Sequence, residues 1–549
     1  MMPTLEISYS DLCSLIGKKI PIEKLKEEIL FAKGEIDAVD GDILKVDLKD
    51  SNRPDLWSTE GIAREIKGRV TNKIGLPEYK IKKGNLVVRV DKKVSGVRPL
   101  TVCAVARDLK INQEVLSQMI QLQEKVATTF GRNRKEVAIG VYDFHKIKPP
   151  ITCTTVEPEG IKFVPLDFKE EMTPKEILGK HPKGKEFGHL LSGFNDYPIF
   201  IDSSNQVLSI PPIINSDHTG KVSEETRDVF IECSGYNLKF LVPALDVLVA
   251  ALADRGAKIE SVKVEYHNKS MITPDLTPNK MNVDIDYVNK ISGLKLKPTE
   301  IVKLLLQARY NPILKGKKIE ANYPAYRQDI MHPRDVVEDV IVSYGYNKVD
   351  PLPIKFKTTG KISEIEELSD KVGTIMSKLG MQEIMSYTLT NKDHLFKKMN
   401  AKEEKIVEIE NPVSANWNIF RNWLIPSLME FLSNNQHVKY PQKIFEIGDV
   451  IVIDEKQETR TRDIRKLAAG IADSKLGYDD IVAILDSFVT AWKKKYKLRK
   501  TVHPSFIEGR VAEILVNNKT VGIVGEIRPE VLLNWKLEMP VAAFEIQLI

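Results

Sequence analysis

Arg327-Gln-Asp-Ile-Met-His-Pro-Arg-Asp-Val-Val-Glu-Asp-Val-Ile-Val-Ser-Tyr-Gly-Tyr346 gathers four acids in a short span: Asp329, Asp335, Glu338 and Asp339. Pro333 suits a first helical turn, where its missing N–H costs nothing. A helix starting there puts Asp335, Glu338 and Asp339 at i, i+3 and i+4, on one face. Asp329 lies just upstream on a segment that can fold back toward them. Two readings follow. Clustered carboxylate oxygens suit a hard cation such as Mg2+, which keeps several waters beside one or two carboxylates. Acids near a helix N-terminus also favour the macrodipole while facing water, with no ion at all. The acids alone do not choose between the two.

Asp-Ile, then Asp, Val, Val, Glu, Asp, then Tyr-Gly-Tyr at this spacing resembles the metal-associated segment of the phenylalanyl-tRNA synthetase beta-subunit family. Further blocks carry the same likeness. Asp50-Ser-Asn-Arg-Pro-Asp-Leu-Trp-Ser-Thr-Glu-Gly-Ile-Ala-Arg-Glu65 is similar to the family's Asn-Arg-Pro-Asp signature. Phe187-Gly-His-Leu-Leu, Pro211-Pro-Ile-Ile-Asn-Ser and Thr219-Gly-Lys-Val-Ser-Glu-Glu-Thr226 resemble its editing domain. Asn411-Pro-Val-Ser, Arg421, Leu424-Ile-Pro-Ser-Leu, Phe445-Glu-Ile-Gly-Asp and Gly525-Glu-Ile-Arg-Pro-Glu resemble its synthetase-like module. The blocks follow the family's order, and the span is that of the shorter archaeal and eukaryotic form.

The resemblance implies an α+β multidomain chain. Its parts would be an N-terminal domain at 1–80, a mixed α/β editing domain at 86–265, and a small helical and strand metal-associated domain at 275–352. A class II synthetase-like antiparallel sheet module without catalytic motifs would fill 361–549. Mg2+ is expected at Asp329, Asp335, Glu338 and Asp339. The implied partner is a catalytic alpha subunit, in an α2β2 heterotetramer that binds phenylalanine, ATP and tRNA(Phe). A reading of another class is a free-standing tRNA-binding protein that hydrolyses mischarged tRNA without a ligase partner. The synthetase-like module has little purpose there.

Composition sets independent bounds. A chain of 549 residues is too long for one core and suggests roughly three to five domains. Its 42% hydrophobic and 29% charged residues are ordinary for globular domains, which argues against extensive disorder. A net charge of +5 admits a nucleic-acid partner without demanding one. Cys13, Cys103, Cys153 and Cys233 are scattered with no Cys-x-x-Cys pair. That spacing argues against a zinc site or disulfide framework and matches a reducing compartment. No run of about 18 apolar residues is available to span a bilayer. Glu6 and Asp11 come too soon for a signal peptide. A cytoplasmic protein is expected.

Periodicity places the elements. Tyr9 to Gly17 reads as a helix, and Asn52-Arg-Pro-Asp55 as a turn before another, with Asp55 or Ser58 as its cap. Arg53 and Asp55 read either as a local turn or as an interdomain clamp. Leu100–Ala106 and Val137–Tyr142 read as buried strands, with Val115–Phe130 helical between them. Strands follow near Pro198–Asp202, Gln206–Ile210 and Asp228–Cys233, then a helix over Val242–Leu252. The third segment reads helix, helix, strand, acidic helix, with Asp286–Ile291 and Thr299–Ala308 as its first helices. In the last segment Ser363–Leu379 and Arg421–Asn434 read as helices, and Glu383–Thr390 and Lys443–Ile453 as strands. Further strands are expected near Leu467–Ile471, Val511–Val516, Thr520–Gly525 and Val541–Ile546. Trp492-Lys-Lys-Lys-Tyr-Lys-Leu-Arg-Lys500 reads as the solvated end of a helix, with Trp492 and Tyr496 packing inward, or as a tRNA-backbone track.

Some chemistry is missing. Amino-acid activation needs positive groups aimed at the α-phosphate of ATP. Arg421 sits near the second class II motif, but its surroundings differ, and Glu508-Gly-Arg-Val-Ala-Glu513 is a poor third motif. No Gly-x-x-x-x-Gly-Lys loop or Gly-x-Gly-x-x-Gly fingerprint is present. Activation is therefore expected on the alpha subunit.

Editing has an energetic rationale. A hydrophobic pocket excludes an added hydroxyl by only about a hundredfold. A second site that hydrogen-bonds the hydroxyl inverts the test, because phenylalanine leaves a polar group unpaired. Phe230, Glu232 and Ser234 alternate along one strand face. Phe200 and Ser209 on neighbouring strands are expected to complete a wall, with Asn215, Ser216 and Thr219 at the mouth. Glu232 is the expected acceptor of a tyrosine hydroxyl. Without the resemblance, Glu232 and Ser234 read as the solvent face of a half-buried strand; with it, that reading and the pocket stand side by side. His189 and His218 fall in no Ser/His/Asp or Cys/His arrangement, which leaves a positioned water and the terminal hydroxyl of the tRNA to hydrolyse the ester.

Overall fold

The computed structural model describes residues 4–354 and 358–548. It divides into two compact units, Met1–Leu352 and Pro353–Ile549. Together they form a mixed α+β chain with several sheets.

In the first unit an N-terminal three-stranded sheet leads to the helix Thr59–Val70. Ser58 caps that helix, its hydroxyl accepting from the Gly61 N–H at 3.1 Å. Only glycine fits at position 61, since a Cβ there would lie 1.8 Å from the Asp55 carbonyl oxygen. The tight Arg-Pro-Asp turn and the helix start therefore specify each other.

An eleven-stranded sheet follows. Its antiparallel centre runs Val137–Asp143, Val229–Gly235, Leu100–Arg107, Lys258–Glu265. Val87–Val90 and Ile151–Val156 then add in parallel, and Tyr197–Ile201 and Val207–Ile210 extend the sheet antiparallel. Every residue of Val229–Gly235 is buried. Its Val229, Ile231 and Cys233 face a core shared with Leu5, Trp57 and the helix Leu238–Asp254. Phe230 faces a second core with Tyr142 and Phe200. A strand covered on both faces has no solvent side, so Glu232 and Ser234 are interior groups.

The third segment opens with a strand, Asn279–Asp284, ahead of the two helices Ile285–Ser292 and Pro298–Gln307. The sequence reading lacks that strand, although its Met281 and Val283 turn inward between exposed Lys280, Asn282 and Asp284; two apolar residues make a weak signal. Strands Asn311–Lys315 and Lys318–Tyr323 complete its sheet. The acidic helix runs Pro333–Tyr344 with Pro333 at its start.

The second unit is a seven-stranded sheet in the order Gln382–Glu383, Gln442–Ile453, Thr461–Ala472, Val541–Gln547, Lys519–Ile527, Phe506–Val516, Tyr496–Lys500. All pairs are antiparallel except the first. Helix Ile425–Asn434 packs in the core on one face, and Glu364–Lys378 and Tyr478–Ala491 in the core on the other. Two expectations fail here. Glu383–Thr390 is not a strand but two residue pairs joined by an exposed loop at Met385. The basic run is not a helix end: Tyr478–Ala491 stops first, Lys493 turns left-handed at φ 59°, and Tyr496–Lys500 becomes an edge strand. Lysines on such an edge discourage pairing with other chains. Among the described residues no helix is long and apolar enough to cross a membrane.

Candidate functional site

Glu232 stands opposite Gly140 on the neighbouring strand, and Phe230 opposite Tyr142. A Cβ at position 140 would sit 2.1 Å from the Tyr142 hydroxyl oxygen, so glycine makes the room in which the hydroxyl lies. That hydroxyl is 2.7 Å from Ser209 Oγ and 3.2 Å from Glu232 Oε1, and its one proton serves one of the two at a time. The second carboxyl oxygen, Glu232 Oε2, is buried with no hydrogen-bond partner among the described residues. Burial pushes the Glu232 carboxyl up to about 7, against the opposing pull of Arg98 and of the Tyr142 and Ser234 hydroxyls. Arg98, itself lowered to about 10 by burial, does not touch the carboxylate. Its Nε donates to Ser234 Oγ at 3.1 Å and one Nη to the Ser234 carbonyl at 2.5 Å.

A cavity of about 430 Å³ opens onto this carboxyl. Its walls are mainly apolar, from Met119, Ile120, Ile139 and Ile210, which is the usual make-up of a small-molecule site. Arg134 and Lys183 line one side together with Glu124, which pairs with Arg134 at 3.0 Å and lies 3.9 Å from Lys183, while His181 Nδ1 there accepts the Lys183 N–H. Of the expected pocket residues, Ser209, Asn215 and Glu232 line this cavity. Four do not line it. Phe200 is in the core beneath, and Ser234 is held by Arg98. Ser216 caps a short helix with Thr219, each buried against the other at 2.8 Å. Sequence reasoning missed Tyr142, Gly140 and Arg98. Gly140 inside an otherwise apolar strand was the available signal, since glycine there marks a close approach.

The acids of the third segment are arranged quite differently. Asp329 accepts both nitrogens of an Arg327 fork, at 2.7 and 2.5 Å, and lies 3.8 Å from Arg53. Burial opposes its ionisation, but the charges of Arg327 and Arg53 hold its carboxyl well below the usual range. Asp339 accepts from Arg327 at 2.8 Å and from the Tyr310 hydroxyl at 2.5 Å. Asp335 turns back on its own helix start, accepting the N–H groups of Met331 and His332 at 2.8 and 2.6 Å. Glu338 pairs with Lys33 at 2.9 Å. Arg53 also forks onto Asp55, with both contacts at 2.8 Å, and so works as a local turn and an interdomain clamp together. Among the described residues no group of three or more His, Cys, Asp and Glu is placed to hold a metal. The expected Mg2+ set of Asp329, Asp335, Glu338 and Asp339 is thus not assembled. Arg53, Arg327 and Lys33 already supply the positive charge a cation would bring.

In the second unit Arg421 is 2% exposed. It donates to Glu446 at 2.7 Å, to Ser386 at 2.7 Å and to the Asp449 carbonyl at 3.1 Å. A groove of about 770 Å³ in this unit is lined by Glu366, Asp370 and Glu383 against Lys378 and Arg465. Arg465 is already paired with Asp449 and Glu366. Neither feature offers a positive surface to a triphosphate.

Comparison with known proteins adds identity to this geometry. Residues 352–548 match the family described as the phenylalanyl tRNA synthetase beta chain CLM domain, 281–346 the tRNA synthetase B5 domain, and 78–241 the B3/4 domain. The phenylalanine–tRNA ligase beta subunit of Pyrococcus abyssi is 50% identical over 549 residues, covering 99% of both chains. That of Pyrococcus furiosus is 49% identical over 550 residues, with 99% of each covered. The crystal structure of an N-terminal fragment of the phenylalanyl-tRNA synthetase beta subunit from Pyrococcus horikoshii aligns with a TM-score of 0.61 at 49% identity, covering 63% of this chain and 100% of the fragment. With near-complete coverage at half identity, the chain belongs to the phenylalanine–tRNA ligase beta-subunit family.

Proposed function

We propose that this chain is the beta subunit of a cytoplasmic phenylalanine–tRNA ligase and that it hydrolyses tyrosine mistakenly attached to tRNA(Phe). The observation that carries the editing reading is the unpartnered Glu232 oxygen at the wall of a largely apolar cavity. A tyrosyl ring fits the apolar walls, and its hydroxyl gives the carboxylate the donor it lacks. Phenylalanine in the same place leaves that buried acceptor unpaired, at a cost of about 1–3 kcal/mol. Tyr142 and Ser209 position the carboxylate. On the wall shared with Glu124, Arg134 and Lys183 are the groups that would meet the ribose–phosphate end of an aminoacylated tRNA.

Activation belongs, in this reading, to a catalytic alpha subunit in an α2β2 assembly. The support is Arg421, whose guanidinium is spent on Glu446 and so cannot grip an α-phosphate. Mg2+ would enter with ATP at that partner, not at the acidic helix. The alternative of a free-standing editing protein leaves the second unit without a role.

The test is Glu232→Ala in the assembled ligase. Deacylation of tyrosyl-tRNA(Phe) is expected to fall by about tenfold to a hundredfold, the equivalent of one charged hydrogen bond. Phenylalanine-dependent ATP–pyrophosphate exchange should stay unchanged. Undiminished deacylation by the variant removes Glu232 from the reading.

A further inference from the structure

A second, smaller cavity of about 150 Å³ lies in the first unit, lined by Glu60, Arg64, Lys67, Lys73, Asp254 and Arg309 among others. It is smaller than the roughly 300–1,000 Å³ of ordinary ligand pockets but larger than an ordered water needs. Its two carboxylates are already neutralised. Glu60 is paired with Arg255, and Asp254 takes Arg64 at 2.7 Å and the Tyr79 hydroxyl at 3.0 Å. Its other three cations have no carboxylate partner among the described residues. Lys67 Nζ donates only to the Leu15 carbonyl, at 2.9 Å, and Arg309 Nη1 to the carbonyl of Lys73. Arg309 is 8% exposed, yet its Nε is buried and unpartnered.

Gathering like charges is costly even with Arg309 buried, Lys67 half-buried and Lys73 exposed. The Lys67 ammonium is pushed below its usual range, first by burial and then by repulsion from Lys73, with Asp254 pulling the other way and Arg309 adding a smaller push. Arg309 holds a left-handed φ of 67°, a conformation that glycine adopts freely and arginine does not. A Cβ on Gly68 would lie 2.8 Å from Arg309 Cδ, so the glycine admits the arginine side chain. A guanidinium edge, a half-buried ammonium and an exposed lysine, none in ion-pair contact with a carboxylate among the described residues, match the needs of a tetrahedral oxyanion.

We propose that Lys67, Lys73 and Arg309 form a binding site for a phosphate group. The ligand is either free phosphate or a phosphodiester of bound nucleic acid. Both carry the same oxygens and charge, so the chemistry is shared and the experiment separates the sources.

Inorganic phosphate is titrated calorimetrically into the full chain at constant ionic strength, alongside Arg309→Gln and Lys73→Gln. In a second arm, tRNA affinity is followed against salt for the unmodified chain and Lys73→Gln. Saturable phosphate binding that weakens about tenfold in Arg309→Gln supports the site, one charge-assisted contact being lost. Because Lys73 is exposed, Lys73→Gln retains the fold even where the buried variant does not. A log–log salt slope for tRNA that falls by about one in Lys73→Gln assigns a phosphodiester, even if free phosphate does not bind. An unchanged slope with phosphate binding assigns the free anion. The proposal is overturned if phosphate binding survives both substitutions, or if neither phosphate binding nor a slope change is seen.

Discussion

Glu232 and Arg421 are both buried charged residues on or beside a central sheet, and they do opposite things. Arg421 donates to Glu446, Ser386 and the Asp449 carbonyl. Glu232 keeps one oxygen without a donor at the wall of a cavity. The first arrangement is complete and has nothing left for a ligand. The second is incomplete, and a ligand hydroxyl completes it. A buried charge therefore points to function by what its partners leave undone, not by its burial alone.

Breaking the closed arrangement should have the largest effect. Arg421→Met strands Glu446 in the interior and is expected to destabilise the second unit by about 3–5 kcal/mol, read from calorimetric melting. The double variant Arg421→Met/Glu446→Met should recover much of that loss, because no unpaired charge remains. Equal losses in the single and double variants would break the comparison.

The open arrangement should show itself as a pH dependence. The Glu232 carboxyl is raised from 4.5 to about 7 in the folded chain. Between those values the folded state holds a proton that the unfolded state has released, so the stability this carboxyl contributes is full below about pH 4.5 and is lost as pH rises toward 7. The shift corresponds to about 3 kcal/mol. Glu232→Gln should flatten that portion of the stability profile, measured by denaturant titration from pH 4.5 to 7.5. An unaltered slope would mean that the carboxyl titrates normally and is not held in a dry site.

The acidic helix sharpens the contrast from the closed side. Its Asp339 and Glu338 are met by Arg327 and Lys33, Asp335 by backbone N–H groups, and Asp329 ahead of it by Arg327 and Arg53, so a metal chelator should leave the melting temperature of the isolated chain unchanged. A drop of several degrees on chelation would show that a cation, not the arginines, holds that segment together.

What the sequence made visible, and what it hid, follows from the range of the interactions. Alternation along Val229–Gly235 was enough to put Glu232 and Phe230 on one face, because side-chain direction in a strand is local. Pro333 marked the start of the acidic helix for a similar reason. Arg327 lay in plain view beside the acids, but their other partners were invisible, since Arg53 and Lys33 lie roughly three hundred positions upstream and no spacing rule links them to Asp329 or Glu338. Phe200, Ser216, Thr219 and Ser234 had suitable chemistry and near-correct neighbourhoods, yet packing turned them into core, cap or Arg98 partner. Tyr496 lay at a helical interval from Trp492, but pairing with Phe506–Val516 overrode that local signal.

The division of labour itself is tested most directly by phenylalanine-dependent ATP–pyrophosphate exchange with the purified chain. This account predicts no exchange by the chain alone and robust exchange once the alpha subunit is added. Sustained exchange by the solitary chain would contradict it, because Arg421 would then have to leave Glu446 to serve ATP.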